Sequence, residues 1–164
     1  MSLTIGIDPG SRITGYGIVE RRGKDIVYVA SGVIRTGSKK ALPDRLCTIK
    51  WRLDEVLLQY KPESLAVEEI FVSKNPRSTL KLGEARGVIL LSAAEAGIPV
   101  YEYSPREVKR SVVGAGAAHK SQVASMIVRL LKFEGEPATD DETDALAVAF
   151  CHELRVSGTA GRLV

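Results

Sequence analysis

The sequence predicts an α/β domain with a five-stranded mixed sheet flanked by helices. Two observations carry this prediction. First, residues 3–35 consist of apolar segments of strand length. Second, from residue 42 onward the apolar residues recur at helical steps of three and four, and two short apolar strands separate the helical segments. Strands joined by short links favour an antiparallel meander, and helix-separated strands favour parallel pairing. A chain of 164 residues suits one such domain.

Three strands are predicted first. They cover Leu3 to Asp8, which ends at the turn pair Pro9-Gly10, then Ile13 to Glu20, and Asp25 to Arg35 with a bend expected at Gly32. An apolar stripe from Leu42 to Tyr60 then predicts an amphipathic helix of about five turns. The next predicted elements are a strand at 65–69, a polar loop at 72–78, a helix at 79–96 and a strand at 99–103. We expect the first and fourth strands to be parallel neighbours, because crossover connections are right-handed.

The last third of the chain is predicted to be helical. Ser104-Pro105-Arg106-Glu107 is a capping box that starts a short helix, and two more helices are predicted over residues 120–133 and 140–155. We expect one domain over residues 1–156 and a flexible tail over 157–164, which is rich in small residues.

Composition excludes several classes of protein. No run of 18 apolar residues is present, and the first eight residues lack the basic region of a signal peptide. The two cysteines, Cys47 and Cys151, lie far apart and match no metal or redox spacing. These observations predict a cytoplasmic protein with free thiols.

Charge is unevenly distributed along the chain. The first 132 residues carry 21 basic and 13 acidic side chains, and the last 32 carry 2 basic and 7 acidic ones. A basic surface attracts phosphate backbones. The acidic end is either a solvated face or a site for metal ions.

Four carboxylates stand at positions that favour one shared site. Asp8 ends the first strand, Glu68 (or its neighbour Glu69) ends the fourth, and Asp141 and Asp144 share one face of the last helix. Sites in open α/β sheets form at the carboxyl ends of parallel strands, so the acids converge if the last helix docks there. Each acid also has a simpler interpretation, as a turn residue, an exposed strand-end acid or a residue that favours a helix N-terminus.

Four ionised acids in a small volume require cations. Two Mg²⁺ ions, for which Mn²⁺ would substitute, suit oxygen ligands of this kind. Two ions about 3.5–4 Å apart would clamp the attacking water and the leaving oxygen of a phosphodiester.

The order of the motifs resembles the RuvC family, the bacterial Holliday-junction endonucleases. A strand of the Gly6–Gly10 type alone also opens sugar-kinase and actin-type ATPase domains, but the ordered set runs from about residue 3 to residue 150. The matching segments are Gly6 to Arg12, Thr14 to Gly17, Ala66 to Glu68 with Phe71, Lys74-Asn75, Leu80 to Gly87, Val108-Lys109, Val112 to Gly114, Lys120 to Val123 and Asp144 to Ala147.

The resemblance implies a ribonuclease-H-like fold and a homodimer that nicks a four-way DNA junction symmetrically in recombination and repair. It implies Asp8, Glu68, Asp141 and Asp144 as the catalytic, metal-binding acids, and it favours Glu68 over Glu69. It also implies RuvA and RuvB as the partner branch-migration complex. Some family members carry a histidine where this chain has Asp141, and Asp140 competes with Asp141 as a candidate ligand.

The resemblance also assigns basic and aromatic residues. Lys109 and Lys120 match residues that the family uses near the cleaved strand, where an ammonium would neutralise the scissile phosphate. Without the resemblance, both are ordinary solvated lysines. The expected DNA contacts are Phe71, Lys74, Arg77, Lys81 and Arg86. Phe71 would stack on a junction base or pack under its loop, and Arg86 has the alternative of a structural ion pair.

Other functions compete with junction cleavage. An RNA-processing nuclease of the same fold class would read 2′-hydroxyl groups. An ATP-binding module is prompted by Gly6 to Gly10, but the chain shows no second phosphate loop. A protein that only binds junctions would bind the DNA polyanion more tightly without the four acids, so their presence argues against this alternative. The segment from Ser78 to Gly87 is a candidate dimer surface, because its glycines allow close approach of a second helix.

Overall fold

The computed structural model describes residues 2–70, 75–133, 139–156 and 162–163. The elements in chain order are β1 (Ser2–Asp8), β2 (Ile13–Arg22), β3 (Asp25–Arg35), α1 (Leu42–Tyr60), β4 (Ser64–Glu68), α2 (Pro76–Glu95), β5 (Val100–Tyr103), α3 (Pro105–Val113), α4 (Lys120–Leu130), α5 (Asp140–Val156) and β6 (Arg162–Leu163).

The sheet confirms the predicted mixed topology. Its strand order is β3-β2-β1-β4-β5-β6. The first three strands pair antiparallel, and β1, β4 and β5 pair parallel, so β1 and β4 are the expected parallel neighbours. The five predicted strands are present, and the two-residue β6 adds a sixth that is antiparallel to β5. The single domain over 1–156 and the flexible tail over 157–164 stay predictions.

Two apolar cores cover the two faces of the sheet. On one face, α1 and α2 pack on the side chains of Ile5, Ile7 and Ile18. On the other face, α3, α4 and α5 form a second core around Tyr103 and Leu146. Since side chains alternate along a strand, Gly6 and Asp8 belong to the face that α5 covers.

Helix α2 begins at Pro76, three residues before the predicted start at Thr79. The side chain of Asn75 accepts hydrogen bonds from the backbone N–H groups of Arg77 and Ser78, and Pro76 takes the first helical position. Part of the predicted loop over 72–78 is therefore helix. Helix α4 ends at Leu130 instead of Phe133. No helix in the described ranges is long and apolar enough to cross a bilayer.

Candidate active site

Helix α5 rests directly on the backbone of β1 and β2. Gly6 and Gly17 are opposite each other in this strand pair. A Cβ atom on Gly6 would overlap the carbonyl oxygen of Ala145, and one on Gly17 would lie 2.7 Å from the backbone nitrogen of Leu146. Only glycine allows a helix to approach a strand this closely.

The first turn of α5 reaches the end of β1 through a third glycine. Gly15 pairs with Asp8 across the β1–β2 ladder. A Cβ atom on Gly15 would overlap the carbonyl oxygen of Asp141 and lie 3.0 Å from the Cβ of that residue. Sequence reasoning did not assign Gly15 a role in the site. Gly15 and Gly17 are two residues apart on β2, and Gly17 lies opposite Gly6 of β1. This pattern of glycines predicts that a helix packs closely on the two strands.

Asp8 is electrostatically coupled to the other three acids. Its pKa is raised to about 7, first by burial and then by the charges of Asp144, Glu68 and Asp141 in that order. The charge of Lys120 lowers it. The charges of all three acids thus act on Asp8, and the convergence of the four acids on one metal site stays a prediction.

Glu68 and Asp144 share the same environment. The pKa of Glu68 is raised to about 7, mainly by burial and then by the charge of Asp144, against the lowering effect of the charges of Lys109 and Lys120. Burial also raises the pKa of Asp144, while the hydrogen bond and the charge of Lys120 lower it. Like charges in a partly buried site therefore oppose ionisation, and cations relieve that repulsion.

A cleft of about 240 Å³ runs along these side chains. Two carboxylates, Glu68 and Asp144, and two ammonium groups, Lys109 and Lys120, are among its lining residues. The capping box of Ser104 and Glu107 starts α3 and so places Lys109 at the cleft. The remaining lining residues are Pro105, Val108, Val123 and Ala147. Two of the four predicted metal-binding acids and both of the predicted catalytic lysines thus face one cleft.

Lys120 connects the acids of α5 to the start of α4. Its Nζ atom lies 2.8 Å from Oδ2 of Asp144 and 3.7 Å from Oδ2 of Asp140. Within the described residues, no three acidic, histidine or cysteine side chains form a group ready to hold a metal ion. The oxygen donors and their raised pKa values nevertheless fit a divalent cation, which would stabilise the ionised carboxylates.

The expected DNA contacts are only partly placed. Phe71 and Lys74 lie outside the described residues. Arg77 and Lys81 are exposed on α2. Arg86 is half-buried and forms an ion pair with Glu102 of β5, which favours the structural alternative for this residue.

Known proteins resemble this chain over nearly its full length. The sequence model of the family described as crossover junction endodeoxyribonuclease RuvC matches residues 4–152. The crossover junction endodeoxyribonuclease RuvC of Histophilus somni is 51% identical over 152 residues, which cover 93% of this chain and 79% of the relative. A structure of Thermus thermophilus RuvC superposes with a TM-score of 0.90 at 34% identity and covers 99% of both chains. A structure of Thermus thermophilus RuvC in complex with a Holliday junction substrate gives a TM-score of 0.91 at 34% identity and covers 100% of both chains.

Proposed function

The chain belongs to the RuvC family of crossover junction endodeoxyribonucleases, and from this premise we propose that Asp8, Glu68, Asp141 and Asp144 hold the metal ions that it uses to cut four-way DNA junctions. The chain is an endonuclease that resolves Holliday junctions, and nucleases of its family depend on metal ions. The observation that supports the site is the cleft that Glu68, Asp144, Lys109 and Lys120 line together, and the raised pKa of Asp8 agrees with it. Family membership also decides against the RNA-processing and ATP-binding alternatives.

The donor set favours Mg²⁺, with Mn²⁺ as a substitute, and four carboxylates would balance the charge of two such ions. When bound, the two ions would activate the attacking water and stabilise the leaving oxygen of the phosphodiester. Asp8 and Glu68 hold their ligand oxygens at neighbouring strand ends, and α5 supplies Asp141 and Asp144. Lys109 and Lys120 line the same cleft, where their ammonium groups neutralise the scissile phosphate.

We propose that the active form is a homodimer joined through one face of α2. Leu80 is 69% exposed and Leu91 is 50% exposed. A Cβ atom on Gly83 or on Gly87 would meet nothing within 4 Å. These residues recur along one side of the helix, which presents two exposed leucines beside Glu84 and has space for a second helix. Two copies related by a two-fold axis would place two sites on a symmetric junction, as paired nicks require.

DNA contacts and partners complete the proposal. Arg77 and Lys81 are exposed cations on α2 that suit phosphate contacts, and Phe71 and Lys74 are assigned to the junction by family resemblance alone. The same resemblance supports RuvA and RuvB as partners. A nuclease that resolves chromosomal junctions in a bacterium works in the cytoplasm.

Cleavage of a synthetic four-way DNA junction tests the function. The purified chain is incubated with the junction and with a linear duplex of the same sequence, with and without Mg²⁺. We expect symmetric paired nicks that appear only on the junction and only with metal. Asp144→Asn should abolish cleavage and retain junction binding, because it removes one ligand charge and leaves the basic surface in place. The matched control is Asp25→Asn, which changes an exposed acid at the turn between β2 and β3.

Two results would contradict the proposal. If the Asp144→Asn variant cleaves at the rate of the original chain, Asp144 is not a metal ligand. If the chain cleaves an RNA junction and not the DNA junction, its substrate is RNA.

A further inference from the structure

Lys120 and Asp140 form a pair of charges beside the proposed metal site. Lys120 is the first residue of α4 and Asp140 is the first residue of α5. The side chain of Asp140 is 81% exposed, while that of Asp144 is 29% exposed. The same ammonium group therefore faces one carboxylate inside the cleft and another at its solvent side.

Asp144 already has a cationic partner in this structure. The Nζ atom of Lys120 lies 2.8 Å from Oδ2 of Asp144, the range of a charge-assisted hydrogen bond. Asp144 is also a proposed metal ligand. An ammonium ion and a divalent cation cannot occupy the same side of one carboxylate oxygen, so metal binding to that oxygen must displace Lys120.

Asp140 is in position to accept the displaced ammonium. Its Oδ2 atom is already 3.7 Å from Nζ of Lys120. The flexible four-carbon stem of lysine allows the ammonium to move by such a distance at little cost. The side chain of Asp140 is 81% exposed, so it can turn toward the ammonium without breaking a packed contact.

We propose that Lys120 neutralises Asp144 in the metal-free protein and moves to Asp140 when a metal ion binds Asp144. Asp140 is then a positioning residue for Lys120 and not a metal ligand. The exchange keeps the ammonium beside the cleft, where the phosphate of the substrate would meet it. This inference rests on the proposed metal site.

Binding of Mn²⁺ to the full chain without DNA tests the inference, with free Mn²⁺ measured by electron paramagnetic resonance. Lys120→Gln removes the competing ammonium and should raise the affinity for Mn²⁺ by about two- to fivefold. The matched control is Lys109→Gln, which removes a cation of the same cleft that acts on Glu68. Its effect should be smaller than that of Lys120→Gln, and an equal or larger effect would overturn the competition for Asp144.

The role of Asp140 is separated by a double-mutant cycle. Asp140→Asn leaves Lys120 with Asp144 alone and should lower the affinity for Mn²⁺ by about two- to fivefold. In the Lys120→Gln background, the same change should have almost no effect. An equal loss in both backgrounds would show that Asp140 acts on the metal site independently of Lys120 and would overturn the inference.

Failure of the proposed function would look different. If the original chain binds no Mn²⁺, or if Asp144→Asn binds Mn²⁺ as the original chain does, the metal site itself is wrong. If the metal site responds to Asp144→Asn but not to Lys120→Gln, the metal site stands and the exchange of partners is overturned.

Discussion

Gly15 lies against the backbone of Asp141, and no side chain fits between them. A Cβ atom at Gly15 would overlap the carbonyl oxygen of Asp141. Gly15 is also paired with Asp8 in the β1–β2 ladder. The absent side chain thus determines how closely the first turn of α5 approaches the strand end that carries Asp8, and with it the separation of the proposed metal ligands.

Substitution Gly15→Ala should disrupt the site. The methyl group must push α5 away or distort β2, and a misplacement of about 1 Å in a catalytic site costs on the order of 100-fold in rate. We expect a loss of that order in junction cleavage, weaker Mn²⁺ binding, and a free energy of unfolding lower by about 1–3 kcal/mol. Cleavage rates, metal titration and chemical denaturation measure the three effects.

A control separates geometry from stability. Ile127→Val removes one buried methyl group from the core beside α5 and should cost about 0.5–1.5 kcal/mol without moving the acids. Its metal affinity should stay unchanged. A folded Gly15→Ala protein with full metal affinity would show that α5 tolerates the displacement.

The sequence predicts the elements that carry the site better than the contacts within it. Asp8 and Glu68 could be placed at neighbouring strand ends because strand patterns and the handedness of crossovers are local and general rules. The ion pair of Lys120 with Asp144 depends on the packing of α4 against α5, which no local pattern specifies. The early start of α2 has a local signal, since Asn75-Pro76 is a capping pair, and the polar composition of residues 72–78 obscured it.

The metal-free protein should lose stability as the pH rises. The pKa values of Asp8 and Glu68 are raised to about 7 in the folded chain, from their ordinary values of 3.8 and 4.5. Between those values and 7, the folded state binds more protons than the unfolded state, so the free energy of unfolding falls with increasing pH. We expect these two groups together to contribute a decrease of up to about 5 kcal/mol between pH 5 and pH 8, measured by denaturation in a metal chelator.

The double variant Asp8→Asn/Glu68→Gln isolates this contribution. His152 acts in the opposite direction, because its burial lowers its pKa, and it is present in both proteins. The original chain should therefore lose more stability than the double variant over the same pH range. Equal pH dependence in the two proteins would show that neither carboxyl group has a raised pKa.

The C-terminal part of α5 is held by a buried ion pair. The side chain of Glu153 is 2% exposed, accepts hydrogen bonds from the hydroxyl groups of Ser2 and Thr4, and lies 2.9 Å from Nε of Arg21. Arg21→Met would leave a buried carboxylate without its cation and should lower the free energy of unfolding by about 2–4 kcal/mol. The neighbouring Arg22→Met breaks an exposed pair with Glu20 and should cost less than about 1 kcal/mol. Urea denaturation measures both losses of free energy of unfolding. Similar losses in the two variants would mean that the buried pair of Arg21 with Glu153 stabilises the fold no more than the exposed pair of Arg22 with Glu20.

The proposed dimer depends on the face of α2 that presents the two exposed leucines. Leu91→Lys would place a charge in that interface and should convert the dimer to a monomer in sedimentation velocity, while the fold is retained. Leu58→Lys is the matched control, because Leu58 is an exposed leucine on α1, outside the proposed interface. If Leu58→Lys dissociates the dimer and Leu91→Lys does not, the interface is formed by α1 and not by α2.

Arg86 and Lys81 should differ in what they stabilise, although both belong to α2. Arg86 is half-buried against Glu102, whereas Lys81 is exposed. Lys81→Met should weaken junction binding and reduce the slope of log affinity against log salt by about 1, because one phosphate contact is lost. Arg86→Met should leave that slope unchanged and lower the free energy of unfolding by about 1–3 kcal/mol, since Glu102 loses its cation. Fluorescence anisotropy of a labelled junction at several salt concentrations gives both slopes. A slope reduced by about 1 in Arg86→Met would show that the guanidinium leaves Glu102 for a phosphate when DNA binds.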